Sequence, residues 1–219
     1  MWCIGRLTEE YRARMYRLLE LYGRPYDANE PVICMDEKSK QLLAHARAPL
    51  EIRSDGIRKE DYEYRRHGTR NIFLAVEPKA GQRQARVTLR RTKRDFVDFV
   101  GWLTTSVYAK AKKLHLVVDN LNTHFRASFE EILGVPAAAT LLQRVELHYT
   151  PKHASWLNMA EIEIGIMDRQ CTRQRFATEL DLCSGVADWQ ARRNAAIARI
   201  DWKFTRQDAD KKLSRHYVS

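Results

Sequence analysis

The sequence predicts an α/β fold in which a mixed five-stranded sheet carries helices on both faces. Short apolar runs alternate along the chain with longer segments whose apolar residues recur at helical spacing, the pattern of an α/β domain. Residues 84–90 alternate apolar and polar side chains, which indicates a strand with one face in water. The length of 219 residues fits one such domain and can bury a sizeable core.

The composition favours a globular protein that binds a polyanion. Hydrophobic residues make up 44% of the chain and charged residues 30%, which excludes a disordered chain. No apolar run approaches the roughly 20 residues that a membrane span needs, so no membrane partner is expected. No secretory signal is visible, which predicts a cytoplasmic location. The formal net charge of +10 attracts polyanions, and nucleic acid is the commonest polyanion in that compartment.

The first element is an amphipathic helix over residues 8–22. Its apolar side chains form one stripe, Thr8 is placed to act as the N-cap, and Gly23 provides a stop. This helix and the linker that follows it are interpreted as a lead-in over 1–30 to a main domain over 31–219.

The main domain is predicted to begin with three strands and to continue with alternating helices and strands. In chain order the predicted elements are a strand ending at Asp36, a loop over 39–60, strands over 72–76 and 84–90, a helix over 93–112, a strand over 114–118, a helix over 126–133 stopped by Gly134 and Pro136, a strand over 145–149, and helices over 156–175 and 179–199. A meander of strands followed by βαβαβ crossovers is the order of the ribonuclease-H-like fold.

Two carboxylates each follow an apolar run that predicts a buried strand. Asp36 ends the first such run, and Asp119 ends the run that starts at Leu114. If the two strands are neighbours, the carboxylates meet at one edge of the sheet and repel unless a cation neutralises them. Oxygen ligands favour Mg²⁺ or Mn²⁺, whereas the four cysteines show no zinc-ligand spacing and are expected to be free thiols. An Asp-Asn turn that ends a strand is the alternative for Asp119.

The helix predicted after Ser155 supplies the third acidic residue. At about 100° per residue, Asn158 and Glu161 share a polar strip, whereas Glu163 falls within the apolar arc. Glu161 is therefore predicted to face the other carboxylates. Glu163, if buried, needs a partner or a raised pKa, and it is a second candidate. An ordinary solvated glutamate is the alternative for both.

Three sequence blocks carry these acids in a fixed order. They are Met35-Asp36-Glu37-Lys38-Ser39, Val118-Asp119-Asn120-Leu-Asn-Thr-His124 and Thr150-Pro151-Lys-His-Ala-Ser-Trp156-Leu-Asn158-Met-Ala-Glu161. They resemble the DDE transposases of the mariner-like superfamily, in its bacterial insertion-sequence branch. The family pattern is an aspartate in an Asp-Glu-Lys strand, an aspartate in Asp-Asn-x-x-x-His, and a glutamate in Leu-Asn-x-x-Glu.

The resemblance implies a metal-dependent DNA transposase, an endonuclease that transfers phosphoryl groups. Asp36, Asp119 and Glu161 would be its catalytic and metal-binding residues, with Asp36 bridging two Mg²⁺ or Mn²⁺ ions. Two ions roughly 3.5–4 Å apart clamp the attacking and leaving oxygens of an in-line displacement. Water first attacks a phosphodiester at the transposon end, and the freed 3′-hydroxyl then attacks target DNA. The implied partners are transposon-end DNA, target DNA and a second copy of the chain in a homodimer, with no small-molecule substrate.

Further residues in or near the three blocks are secondary candidates. Asn120 and His124 are predicted to orient Asp119 or to touch a phosphate, and a histidine bonded to backbone at a helix start is the alternative for His124. Lys38 and Lys152 are candidates for DNA-backbone contacts, which give affinity without sequence choice; solvated lysines are the alternative.

The resemblance departs from the family at the front of the chain. Such transposases usually carry helix-turn-helix modules ahead of the catalytic domain, and no such pattern is visible here. The expected organisation is therefore a helix and linker over 1–30 and a catalytic domain over 31–219. The alternative function is an inactive or regulatory transposase fragment that binds DNA or a full-length partner without cutting.

Overall fold

The computed structural model describes residues 7–46, 62–213 and 216. The strands in these ranges are β1 (Val32–His45), β2 (Tyr64–Glu77), β3 (Gln82–Thr88), β4 (Leu114–Val118) and β5 (Val145–Tyr149). The α-helices are α1 (Glu9–Gly23), α2 (Lys93–Trp102), α3 (Arg126–Leu133), α4 (Val135–Leu142), α5 (Met159–Met167), α6 (Glu179–Ala195) and α7 (Arg206–Leu213). None of the helices in the described ranges is long and apolar enough to span a bilayer.

The five strands form one mixed sheet in the order β3-β2-β1-β4-β5. The first three strands pair antiparallel as a meander. After helical crossovers, β4 pairs in parallel with β1, and β5 pairs in parallel with β4. The predicted five-stranded mixed sheet is therefore confirmed. The parallel half places β1 and β4 side by side, and this neighbourhood positions the candidate site.

Helices cover both faces of the sheet because neighbouring residues of a strand point in opposite directions. Ile33 and Met35 of β1 pack with α2, α3 and α4 on one face. Cys34, between them, packs with α1, α5 and α7 on the other face. Further along β1, Leu42 joins a third cluster with residues of α5 and α6. Helix α1 begins as predicted, with the Thr8 hydroxyl accepting from the backbone N–H of Tyr11 at 3.2 Å.

Strand β1 is longer than the sequence predicts, and it corrects two expectations. Asp36 does not end its strand, since β1 continues through it to His45. The loop expected over 39–60 is wrong for 39–45, and the part over 47–60 lies outside the described residues. The polar end of β1 is held by antiparallel pairing with the equally polar start of β2, where Lys40 lies opposite Arg70. This pairing is non-local, so it leaves no apolar pattern in the sequence.

The helices of the second half differ from the predicted ones at their ends. Helix α2 stops at Trp102 and passes into a π-helical turn over Leu103–Val107, short of the predicted end at residue 112. Gly134, at φ 78°, ends α3 as predicted. Pro136 does not stop helical structure, because it lies in the first turn of α4, where its missing N–H costs nothing. The helix expected over 156–175 is α5, flanked by a 3₁₀ turn and a π-helical turn.

Candidate functional site

Asp36 and Asp119 come together because β1 and β4 are adjacent parallel strands. The last pair in their ladder is Cys34 with Val117, and the same register continued by two residues brings Asp36 beside Asp119. Neighbouring strands lie about 4.8 Å apart, and the charge of Asp119 acts on Asp36. Sheet pairing thus brings together two acids that are far apart in the sequence.

Glu161 approaches the same place from the first turn of α5. Asn158 caps this helix, and its side-chain oxygen accepts from the backbone N–H of Ala160 at 3.1 Å. Its Nδ2 donates to the carbonyl oxygen of Met35 at 2.8 Å, so one buried amide fixes the start of α5 against β1. Met35 directly precedes Asp36, and the exposed Glu161 is among the carboxylates whose charge acts on Asp36.

The electrostatics of Asp36 indicate a site suited to a cation. Burial raises the pKa of Asp36 to about 7; the backbone N–H of Glu37 opposes the rise, and the charges of Asp119 and Glu161 add to it. A divalent cation bound by these oxygens would remove the repulsion, so the donor set fits Mg²⁺ or Mn²⁺.

His124 links two carboxylates beneath this edge of the sheet. Its Nδ1 donates to Oδ1 of Asp119 and its Nε2 donates to Oε1 of Glu37, both at 2.7 Å. Burial alone would lower the pKa of His124, but hydrogen bonds to the two carboxylates raise it to about 9, so the ring is an imidazolium at neutral pH. The ring packs on Phe96 with centroids 4.6 Å apart. His124 therefore orients Asp119, and its ring contacts carboxylates rather than backbone.

Two hydrogen bonds hold one carboxylate oxygen of Asp119 in place. Its Oδ1 also accepts from the backbone N–H of Leu121 at 3.0 Å. Burial would raise the pKa of Asp119, but the hydrogen bonds from His124 and Leu121, with the charges of His124 and Arg91, lower it below its usual value. Both hydrogen bonds use Oδ1, so Oδ2 is the oxygen that can face a cation.

Glu37 is a site residue that the sequence reasoning missed. Its side chain is 3% exposed, and its Oε2 is buried without a hydrogen-bond partner among the described residues. Strand alternation places it on the opposite face of β1 from Asp36, next to His124. The sequence could have indicated this position, because Glu37 is two residues after Met35 in the same strand. Strand alternation therefore places it on the buried face that Met35 occupies.

Asn120 and Lys152 line a cleft beside the acids rather than contacting them. Asn120 accepts from Nη1 of Arg14 at 2.8 Å, and its Nδ2 donates to the carbonyl oxygen of Thr150. It thereby joins the end of β4 to α1 and to the loop after β5. The cleft has a volume of about 540 Å³, and the exposed Lys152 forms part of its wall.

Lys38 and Glu163 have ion-pair partners elsewhere. Lys38 lies 3.1 Å from Asp168, just beyond α5. Glu163 is fully buried, and both of its oxygens contact the guanidinium groups of Arg83 and Arg193, with Nε of each arginine 2.9 Å from Oε1. Burial would raise the pKa of Glu163, but the hydrogen bonds from the two arginines lower it. The partner that the sequence required for Glu163 is thus a pair of arginines, and the residue joins α5 to β3 and α6.

The raised pKa of His124 predicts how stability depends on pH in the metal-free protein. Because the folded pKa of about 9 lies above the ordinary 6.5, the stabilisation is fully present below pH 6.5 and is lost as pH rises through about 9. A shift of this size corresponds to roughly 3 kcal/mol. Denaturant titrations in chelator, from about pH 6 to 10, should show a steeper loss for the native sequence than for His124→Gln. Equal slopes would contradict the imidazolium assignment.

The chain matches a protein family in sequence and several solved structures in fold. Residues 31–183 match the family described as DDE superfamily endonuclease. No curated protein matches the chain in sequence. The similar structures share 12–14% identity with it, so they inform on the fold alone.

These structures are complexes of the Mos1 mariner transposase. The Mos1 mariner paired end complex with Mn has a TM-score of 0.57 at 12% identity, over 99% of this chain and 65% of that chain. The pre-cleavage Mos1 transpososome has a TM-score of 0.58 at 13% identity, over 100% and 66%. The Mos1 strand transfer complex has a TM-score of 0.57 at 14% identity, over 100% and 65%. The ribonuclease-H-like fold is confirmed, and the chain spans about 65% of the length of these relatives.

Proposed function

The chain belongs to the DDE superfamily of endonucleases, and we propose that it is a transposase catalytic domain that cuts phosphodiester bonds and joins DNA strands. The sequence blocks around Asp36, Asp119 and Glu161 support placing it in the bacterial insertion-sequence branch of the mariner-like superfamily. Bacterial DNA lies in the cytoplasm, where the protein would act. Two copies in a homodimer would hold the two ends of one element.

One observation carries this proposal: two neighbouring parallel strands and one helix start bring three carboxylates to the same place. Asp36 and Asp119 follow from the β1–β4 register, and Glu161 follows from the Asn158 contact to β1. The charges of Asp119 and Glu161 act on the half-buried Asp36, and like charges in such a place destabilise a fold unless a ligand compensates them. A site that binds catalytic cations would explain why the fold keeps this destabilising arrangement of carboxylates.

The proposed roles divide between residues that hold cations and residues that position them. Asp36, Asp119 and Glu161 would hold two Mg²⁺ or Mn²⁺ ions, which when bound activate the attacking oxygen and stabilise the leaving oxygen of an in-line displacement. His124 is a positioning residue, because it keeps Oδ1 of Asp119 occupied and leaves Oδ2 for ligation. Glu37 acts through His124 in the same way.

The DNA backbone is proposed to lie along the cleft beside Asn120. The cleft adjoins Asp119 in sequence and carries the side chains of Arg14 and Lys152. Arg14 is held in place by Glu10 at 2.7 Å and by Asn120, so it offers an ordered contact for a phosphate rather than a free charge. The net charge of +10 adds a general attraction for DNA.

A strand-transfer assay tests the proposed function. The purified chain is incubated with pre-cleaved end DNA, taken from the sequence bordering its coding region, together with plasmid target and Mn²⁺. Joined DNA product is the expected result. Degradation without joining would instead identify a nuclease of the same fold, and binding without any chemistry would identify a regulatory fragment; either outcome overturns the transposase proposal.

A further inference from the structure

A second cluster of potential metal ligands lies at the other end of β4 from Asp119. His115 of β4 pairs directly with Glu146 of β5, and His148 follows on the same face of β5. One ligand atom from each of these three side chains lies within 4.8 Å of the others. Asp119 is about 13 Å further along the strand at the usual rise per residue. This cluster is therefore separate from the acid trio formed by Asp36, Asp119 and Glu161.

The distances within the cluster are close to those of a tetrahedral ion site. Nδ1 of His115 lies 3.0 Å from Nε2 of His148. The carboxylate oxygens of Glu146 lie 3.7 Å from the first nitrogen and 3.6 Å from the second. Ligands bound to zinc at about 2.0–2.1 Å with tetrahedral angles are about 3.4 Å apart. Shifts of a few tenths of an ångström would therefore seat an ion.

The other ring nitrogen of His115 is buried and faces a carboxylate outside the cluster. His115 is 4% exposed, and its Nε2 has no hydrogen bond among the described residues, although a Glu30 oxygen lies 3.6 Å away. The hydrogen bond between His115 and His148 uses Nδ1 of His115. Nε2 of His115 therefore has no hydrogen-bond partner whether it carries the ring proton or not. An ion on Nδ1 would place the proton on Nε2, facing Glu30, which is the usual carboxylate–histidine–metal arrangement.

Charged side chains of both signs surround the cluster. Glu146 supplies the negative charge of the cluster, with one carboxylate oxygen 3.6 Å from Nε2 of His148. The positive charges of Arg17 and Arg24 also act on His148. Lys113, whose Nζ lies 3.5 Å from Glu146, forms a partly exposed ion pair of the kind that is readily exchanged.

We propose that His115, Glu146 and His148 bind one zinc ion, with water as the fourth ligand. Two imidazoles and one carboxylate suit zinc, whereas Mg²⁺ requires a more complete set of oxygen ligands. The ion ties the edge strand β5 to β4, the strand that leads into Asp119. The cluster lies at the opposite end of β4 from Asp119, so this ion would be distinct from the proposed catalytic cations.

Zinc titration of the chelator-treated protein tests this site. Calorimetry should detect one zinc equivalent, and zinc at 100 times its dissociation constant should raise Tm by roughly 5–10 °C. Glu146→Gln and His148→Gln should each weaken zinc binding at least about 100-fold, since each removes one of three ligands. Co²⁺ in place of zinc should give the visible absorption of a tetrahedral nitrogen and oxygen site in the native sequence and lose it in both variants.

Asp119→Asn separates the zinc site from the proposed catalytic cations. This variant should keep the zinc-dependent rise in Tm, because Asp119 does not belong to the cluster. Glu146 is the main test position, because its exposed side chain can change without disturbing the core. Zinc binding of native affinity in both cluster variants would overturn the proposal, as would a native protein whose Tm does not respond to zinc.

Discussion

Asp119→Asn is expected to reduce DNA cleavage and strand transfer by a factor on the order of 10³ or more. The amide keeps the shape of the side chain and can still accept from His124, but it loses the charge that a cation requires. Cations in such sites supply several kcal/mol of transition-state stabilisation, and each 1.4 kcal/mol or so is tenfold in rate. Gel assays of end cleavage and joining, at fixed Mn²⁺ concentration, would measure the loss.

The matched control is Asp201→Asn. Asp201 is 79% exposed and pairs only loosely with Lys203 at 3.5 Å, so the same chemical change there should leave activity within about twofold. If the Asp119 variant keeps native activity while both proteins remain folded, Asp119 does not hold a catalytic cation. The assignment of Asp36 and Glu161 would then fall with it.

Glu163→Gln is expected to lower the free energy of unfolding by about 3–5 kcal/mol. Glu163 and Arg83 are both fully buried, and the substitution leaves the guanidinium groups of Arg83 and Arg193 without their counter-charge. For a chain of this length the loss corresponds to a fall in Tm of roughly 6–20 °C. Thermal and urea unfolding followed by circular dichroism would measure both quantities.

Two further glutamates give this experiment its controls. Glu179→Gln breaks a partly exposed ion pair with Arg70 and should cost no more than about 1 kcal/mol. Glu161→Gln changes an exposed side chain, so it should leave stability nearly unchanged while removing activity. A Glu163 variant as stable as the Glu179 variant would show that the buried pair contributes little. A Glu161 variant with native activity would place the third acid elsewhere.

The acid trio could be proposed from sequence because each member depends on a local pattern. The buried run that ends at Asp119 is short and apolar, and a helical wheel separates Glu161 from Glu163 without knowledge of the rest of the fold. The order of the elements then indicated which strands are neighbours. The continuation of β1 beyond Asp36 had no such pattern, since its polar residues are held by cross-strand bonds to β2.

Contacts between distant elements could not be predicted in the same way. The bond from His124 to Glu37 joins the end of β4 to β1, and nothing local in either segment specifies it. The wheel showed that Glu163 needs a partner, but Arg83 on β3 and Arg193 on α6 become its neighbours only through the tertiary fold. The alternation of Glu146 and His148 on β5 was a usable signal for a metal site, although the cysteine spacing alone argued against zinc.

The buried imidazolium of His124 makes the candidate site preorganised. It serves as an internal counter-ion for Glu37 and Asp119, so these carboxylates keep their geometry before any ligand arrives. Cation loading then requires little reorganisation of the protein, and the entropy of ordering Asp119 has already been lost during folding. Under the proposed function, the exchange of cations should therefore be limited by the loss of water from the ion rather than by refolding of the site.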